Sequence, residues 1–198
     1  MTTVVVPFAG TEGKTRLDAS RGARRDLSLA MLADVLAAAV VVGRTLVVTG
    51  DAGGATLAAD AGAEAVADPG GGQGAAVAAA LELAGAGQVL VVNADVPCAV
   101  PADLRALLAG IPDRGLALVE ALDGTTNALG LSAGDIFEPL YGPDSASRFR
   151  ALPVETVAVA VPNLAEDVDT LADLERLQLR CGPRTQAVLG ALFAGISP

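Results

Sequence analysis

Apolar residues fall along this chain in two rhythms. Short runs at 4–7, 45–49 and 88–92, rich in Val and Leu, have the length and branching of strands buried on both faces. Between them the spacing widens. Leu27, Met31 and Val35 recur every fourth position with Leu32 and Leu36 beside them, which predicts a helix over 24–40. The same reasoning predicts shorter helices over 56–61, 74–84 and 103–109, the last with Pro101 in its first turn, and a short strand over 64–67. Strands over 116–121 and 127–131 flank an Asp123-Gly124 turn, and another strand is expected over 154–161. A helix starts near Asp144 or Ser145, after the turn at Tyr141-Gly142-Pro143. A further helix covers 169–179, capped by Asp169 or Thr170, and a last one covers 184–193.

Strand–helix alternation in the first half implies parallel pairing with right-handed crossovers, while the hairpin in the second half makes the sheet mixed. With no internal repeat or linker, the expectation is one three-layer α/β domain over 1–198, built on a Rossmann-like mixed, mostly parallel sheet. Ligands in such folds bind outside the carboxyl ends of the strands.

Composition narrows the chemistry. Apolar residues make up 52% of the 198 and aromatics only 3%, so the core is expected to be packed from Ala, Leu and Val. A net charge of −10 argues against a nucleic-acid or anionic-membrane partner, both of which need basic surface. No apolar stretch is long enough to span a bilayer, no signal peptide is evident, and two cysteines make no disulfide framework, so a reduced, cytoplasmic setting is expected. The chain contains no His, which excludes His-based triads and His-ligated zinc. A homo-oligomer is compatible with the sequence.

Five segments could carry chemistry. Gly10 to Arg16 looks like a P-loop, but the position its first glycine requires is Phe8. The loop still holds Lys14, the only lysine, and with Arg16, Arg21, Arg24 and Arg25 it gathers five of thirteen basic residues within twelve positions, either as an anion-binding field or as a solvated face. Asn93-Ala94-Asp95-Val96-Pro97 places Asp95 at the carboxyl end of the most strand-like run, as a turn cap or as a hard oxygen ligand for magnesium. Asp167 and Asp169, two apart, share a face of an extended segment, where two carboxylates repel unless a cation lies between them. Asp123 to Leu129 is either a plain hairpin turn or a holder of carboxylate or phosphate, and 141–148 ends in a helix start that favours anions, with Arg148 and Arg150 nearby. Cys98 has nothing basic beside it and reads as packing rather than as a nucleophile.

Taken in order, Lys14-Thr15-Arg16-Leu17, Asn93-Ala94-Asp95-Val96-Pro97, Thr126-Asn127-Ala128-Leu129, Tyr141-Gly142-Pro143-Asp144-Ser145, Asp167-Val168-Asp169-Thr170 and Gly182-Pro183-Arg184-Thr185 resemble the CofC family, the 2-phospho-L-lactate or phosphoenolpyruvate guanylyltransferases of coenzyme F-420 biosynthesis. The resemblance implies a fold like the glycosyltransferase-A type nucleotidyltransferases, GTP and a small phosphorylated three-carbon acid as substrates, and magnesium on Asp95, Asp167 and Asp169. It implies that Thr126, Gly142 and Ser145 hold the acid's carboxylate, and that Lys14 and Arg16 face the nucleotide phosphates beside Asp95. Two positions depart from the family pattern: a lysine six residues before Lys14 is Phe8 here, and an Asn after the glycine loop is replaced within Gly72-Gln73-Gly74. Two other readings stay open: a related nucleotidyltransferase of molybdopterin or sugar-phosphate type, or a binding module without catalysis.

Overall fold

A computed structural model describes residues 2–11 and 20–194. In chain order these form β1 (Thr3–Pro7), α1 (Arg21–Ala39), β2 (Arg44–Thr49), α2 (Ala52–Asp60), β3 (Glu64–Ala67), α3 (Gln73–Ala84), β4 (Val89–Val92), α4 (Pro101–Ala109), β5 (Gly115–Glu120) and β6 (Thr126–Leu131). After a single 3-10 turn at Gly134–Ile136 come α5 (Ser145–Arg150), β7 (Glu155–Ala158), α6 (Pro162–Ala165), α7 (Leu171–Leu177) and α8 (Pro183–Ala194).

The described strands make one sheet in the order β3-β2-β1-β4-β6-β5-β7. β1 pairs parallel with β2 and β4, and β5 with β7. Only β6 runs the other way, antiparallel to both β4 and β5. The mixed, mostly parallel sheet expected from the sequence is thus the one observed.

Period-two alternation sorts the apolar residues onto two faces. Val4, Val6, Val47 and Val92 pack under α1, α2, α4 and α6. Val5, Val48, Val91 and Leu129 pack under α3 and α5, with Phe149 fully buried among them. A third cluster joins Leu27 and Met31 of α1 to Leu174, Leu177 and Leu189 of the last two helices. Cys98 and Cys181 are free, buried members of that cluster, so Cys98 is packing, as its sequence context implies.

Boundaries differ from the sequence reading where a cap or proline decides them. α2 begins at 52 rather than 56 because the Asp51 carboxylate accepts the Gly54 N–H at 2.8 Å. Two glycines hid that start, and Gly54 has a reason to be there: a Cβ would meet the Phe8 ring at 2.6 Å. β7 stops at 158, short of the strand expected to 161, and Pro162 then opens α6. Thr170, not Asp169, caps α7, exchanging bonds with Asp173.

The last helix is docked by a buried carboxylate. Asp34, in the middle of α1, accepts the N–H groups of Arg184 at 3.1 Å and Thr185 at 2.9 Å, the first turn of α8. Gly182 lies so close to Asp34 that a Cβ would meet its carboxyl carbon at 2.3 Å. Its N–H donates to the Pro97 carbonyl at 2.8 Å, tying the segment before α8 to the chain that follows β4.

Two stability outcomes follow from these caps. Asp34→Asn turns a donor toward one of the two α8 N–H groups and should cost about 1–3 kcal/mol in urea unfolding; a loss below a few tenths would mean that α8 is held by its apolar face alone. Asp51→Ala should cost about 1 kcal/mol at neutral pH. The Gly54 N–H holds the Asp51 carboxyl below its usual range. Its contribution is therefore complete above the unfolded Asp value of about 3.9 and is lost as pH falls through the lower folded value. The gap between wild type and Asp51→Ala should narrow only below about pH 4.

Candidate active site

Among the described residues, the aspartates and the Thr126–Ser145 pair gather at one edge of the sheet. β1, β2, β3 and β4 all end there. Because β6 runs against β4, it begins there, and the Asn93 N–H donates to the Asn127 carbonyl at 3.0 Å just beyond the paired residues. Asp95 follows β4 directly. Asp167 and Asp169 come from the irregular segment between α6 and α7 rather than from a strand. That segment is brought to Asp95 by a backbone bond, Val168 N–H to Asp95 carbonyl at 3.0 Å. Val168 is fully buried in the third cluster, so the two aspartates flanking it face away from that core. Glu166 adds a surface anchor through ion pairs to Arg176 and, at 2.8 Å, to Arg180.

The result is one cluster. Asp95, Asp167 and Asp169 each offer a carboxylate oxygen within 4.8 Å of the others. Burial pushes the Asp167 carboxyl above its usual range, the negative charge of Asp95 adds to the shift, and the Asn127 amide opposes it. Hard oxygen donors of this number suit magnesium, and a cation relieves the repulsion that the fold imposes on them.

On one side of the cluster is a cavity of about 340 Å³ whose wall includes Asp95 and Asp169. That volume lies within the range of small-molecule sites. Phe8, Gly10, Asp68, Gln73 and Asn93 are among its other lining residues. Gly70, Gly71 and Gly72 all take positive φ, a conformation glycine adopts without strain, and lead into α3, whose start has no side-chain cap. An uncapped helix start at a cavity wall presents N–H donors and the positive end of the helix dipole to an anion.

On the other side lies a hydroxyl pair. The Ser145 Oγ donates to Thr126 Oγ1 at 3.1 Å, both residues being buried. Gly142 takes φ 113, and Asp144 sits in the left-handed region at φ 56, a rare conformation for a side-chain-bearing residue. Arg148 donates to the Tyr141 carbonyl at 3.1 Å and fixes this loop, while Arg150 is committed to Glu120. Asp123 and Gly124 form the turn, with the Asp123 carboxylate accepting from the Thr125 N–H at 2.9 Å. From that segment Thr126 and Asn127 reach the site through their side chains.

The structure thus brings Asp95, Asp167 and Asp169 together, and separately Thr126 with Ser145 beside Gly142. Lys14 and Arg16 lie outside the described residues. The two departures have packing reasons. Phe8 is 6% exposed and its ring fills the space above Gly54. Gly74 faces Pro139, whose Cβ would stand 2.6 Å from any Cβ at 74. What the sequence reading missed are the amides. Gln73 Nε2 donates to Asn93 Oδ1 at 2.6 Å, Asn93 Nδ2 to Asn127 Oδ1 at 3.3 Å, and Asn127 Nδ2 to Asp167 Oδ1 at 3.1 Å.

Comparison with known proteins agrees with this geometry. The MobA-like NTP transferase domain matches residues 23–152. A phosphoenolpyruvate guanylyltransferase of Streptomyces coelicolor is 39% identical, covering 96% of this chain and 97% of its own. One from Conexibacter woesei is 41% identical over 86% and 83%. Among solved structures, one from Desulfovibrio desulfuricans, described as a nucleotide-diphospho-sugar transferase, shares the fold with a TM-score of 0.74 at 19% identity, covering 98% of this chain and 95% of that one. A nucleotidyl transferase from Methanothermobacter does so with 0.63 at 15% identity, covering 96% and 99%. With the sheet-edge site and these relatives in hand, the chain belongs to the phosphoenolpyruvate guanylyltransferase family within the MobA-like nucleotidyltransferases.

Proposed function

We propose that this chain is a magnesium-dependent guanylyltransferase that joins GMP from GTP to phosphoenolpyruvate or 2-phospho-L-lactate with release of pyrophosphate, a step of coenzyme F-420 biosynthesis. The observation that carries the reading is the three-carboxylate cluster, open to a cavity on one side and linked through Asn127 to the Thr126–Ser145 pair on the other. The names of the curated relatives support the guanylyl transfer and the phosphoenolpyruvate acceptor. A cytoplasmic setting is supported by two free, buried cysteines.

In this reading the nucleotide occupies the cavity, with its phosphates toward the uncapped start of α3, Lys14 and Arg16. Thr126, Gly142 and Ser145 hold the acid's carboxylate and so aim its phosphate at the α-phosphorus, a contribution of orientation. The acid's phosphate has a second pKa of about 6 and is already ionised at neutral pH. One of its oxygens attacks the α-phosphorus, the bond to the bridging oxygen breaks, and pyrophosphate leaves with the electron pair. No general base is needed, which suits a chain without His. Asp95, Asp167 and Asp169 would hold magnesium, which when bound supplies a Lewis acid that offsets charge on the reacting phosphates.

The direct test is pyrophosphate release with magnesium, offering GTP, ATP, CTP or UTP, each with phosphoenolpyruvate, 2-phospho-L-lactate or 3-phosphoglycerate. Release with GTP and one of the first two acids is expected, and EDTA should abolish it. Silence across all combinations from folded protein would leave a binding module. Asp95→Asn should lower turnover by about a thousandfold or more, the size of several kcal/mol of lost charge stabilisation. The same change removes one of three mutually repelling charges, so the melting temperature of the metal-free protein should stay level or rise. A variant that keeps most of its turnover would remove Asp95 from the metal site.

A further inference from the structure

The three-amide chain does more than fill space behind the carboxylates. An ionised carboxylate only accepts hydrogen bonds, whereas an amide can present either its NH₂ or its oxygen. Asn127 is 2% exposed and touches Asp167, so its Nδ2 must face the carboxylate and its Oδ1 must face away. Asn93 must then turn its own Nδ2 to that oxygen, and it does, sharing the same group with the Thr126 carbonyl at 3.4 Å. Its freed Oδ1 accepts from Gln73. The charge at one end therefore dictates the orientation of all three amides, and their dipoles all point toward it. The chain spans three elements: Gln73 opens α3 at the cavity wall, Asn93 follows β4, and Asn127 lies in β6.

We infer that Asn127 is the positioning residue for Asp167, the last member of a polarised Gln73–Asn93–Asn127 relay that holds one carboxylate oxygen so that the other is directed to the cation. This rests on the metal reading of the aspartate cluster given above. Asn127 touches neither substrate nor metal in this arrangement; it acts through Asp167. Partners behind metal-binding side chains commonly change metal affinity by tenfold to a hundredfold when removed.

The test uses Mn²⁺ as the probe, with its affinity for the purified, nucleotide-free chain read by electron paramagnetic resonance and calorimetry. Asn127→Ala should weaken Mn²⁺ about tenfold. Asn93→Ala, which leaves the Asn127–Asp167 contact in place and removes only its support, should weaken it about two- to threefold and covers the case in which Asn127→Ala does not fold. In an Asp167→Ala background, Asn127→Ala should change Mn²⁺ affinity no further, because the relay has nothing left to position. A purely structural Asn127 would lower the melting temperature and leave Mn²⁺ affinity unchanged, or would act equally in both backgrounds; either result overturns the relay alone. Failure of the wild-type chain to bind Mn²⁺ would overturn both the relay and the metal reading on which it stands.

Discussion

The site depends on one strand running against its neighbours. In a wholly parallel sheet, every strand would deliver its carboxyl end to the ligand edge and its amino end to the opposite one. Because β6 is inserted in reverse between β4 and β5, its first residues, Thr126 and Asn127, arrive at the same edge as Asp95. A hairpin from β5 makes that reversal cheap in chain length, since Asp123 and Gly124 close it with the aid of Thr125. The hydroxyl that meets Ser145 and the amide that meets Asp167 are consecutive residues, on opposite faces of the strand, so the reversed strand serves the loop on one side and the aspartate cluster on the other.

Assembling three carboxylates in a half-buried position works against folding, and the surrounding structure shows how it is managed. Val168 inserts into the apolar cluster beneath α1 and α7 and carries its two acidic neighbours into place. Glu166 is clamped by Arg176 and Arg180, and Thr170 starts α7 immediately afterwards. Stabilising contacts thus bracket the aspartate pair on both sides, while the repulsion is confined to the carboxylates of the cluster itself. Such a division leaves the local strain where a ligand can relieve it.

How much of this the sequence carried depends on the range of the interaction. Period-two and period-four patterns identified the strands and the long helices, because those are set by which face of each element is buried. The three aspartates and the Thr126, Gly142 and Ser145 positions were legible through the order of short segments. The start of α2 was not, since Ala52-Gly53-Gly54 carries weak helix propensity and only Asp51 declares it. The run through 161 looked like strand because valine and alanine continue; Pro162 and the loss of pairing beyond Ala158 decided otherwise. The amide relay joins residues 20, 34 and 40 positions apart, and no local pattern marks an Asn for a partner that distant.

Gly74 invites a different kind of conclusion. Its lack of a side chain is set not by its own backbone but by Pro139, which stands where a Cβ would be. The residue at 74 and the residue at 139 are therefore a correlated pair: one cannot acquire a side chain unless the other recedes. Redesign at the start of α3 by single substitutions would meet this steric lock first, and libraries that vary positions 74 and 139 together are the ones that can cross it.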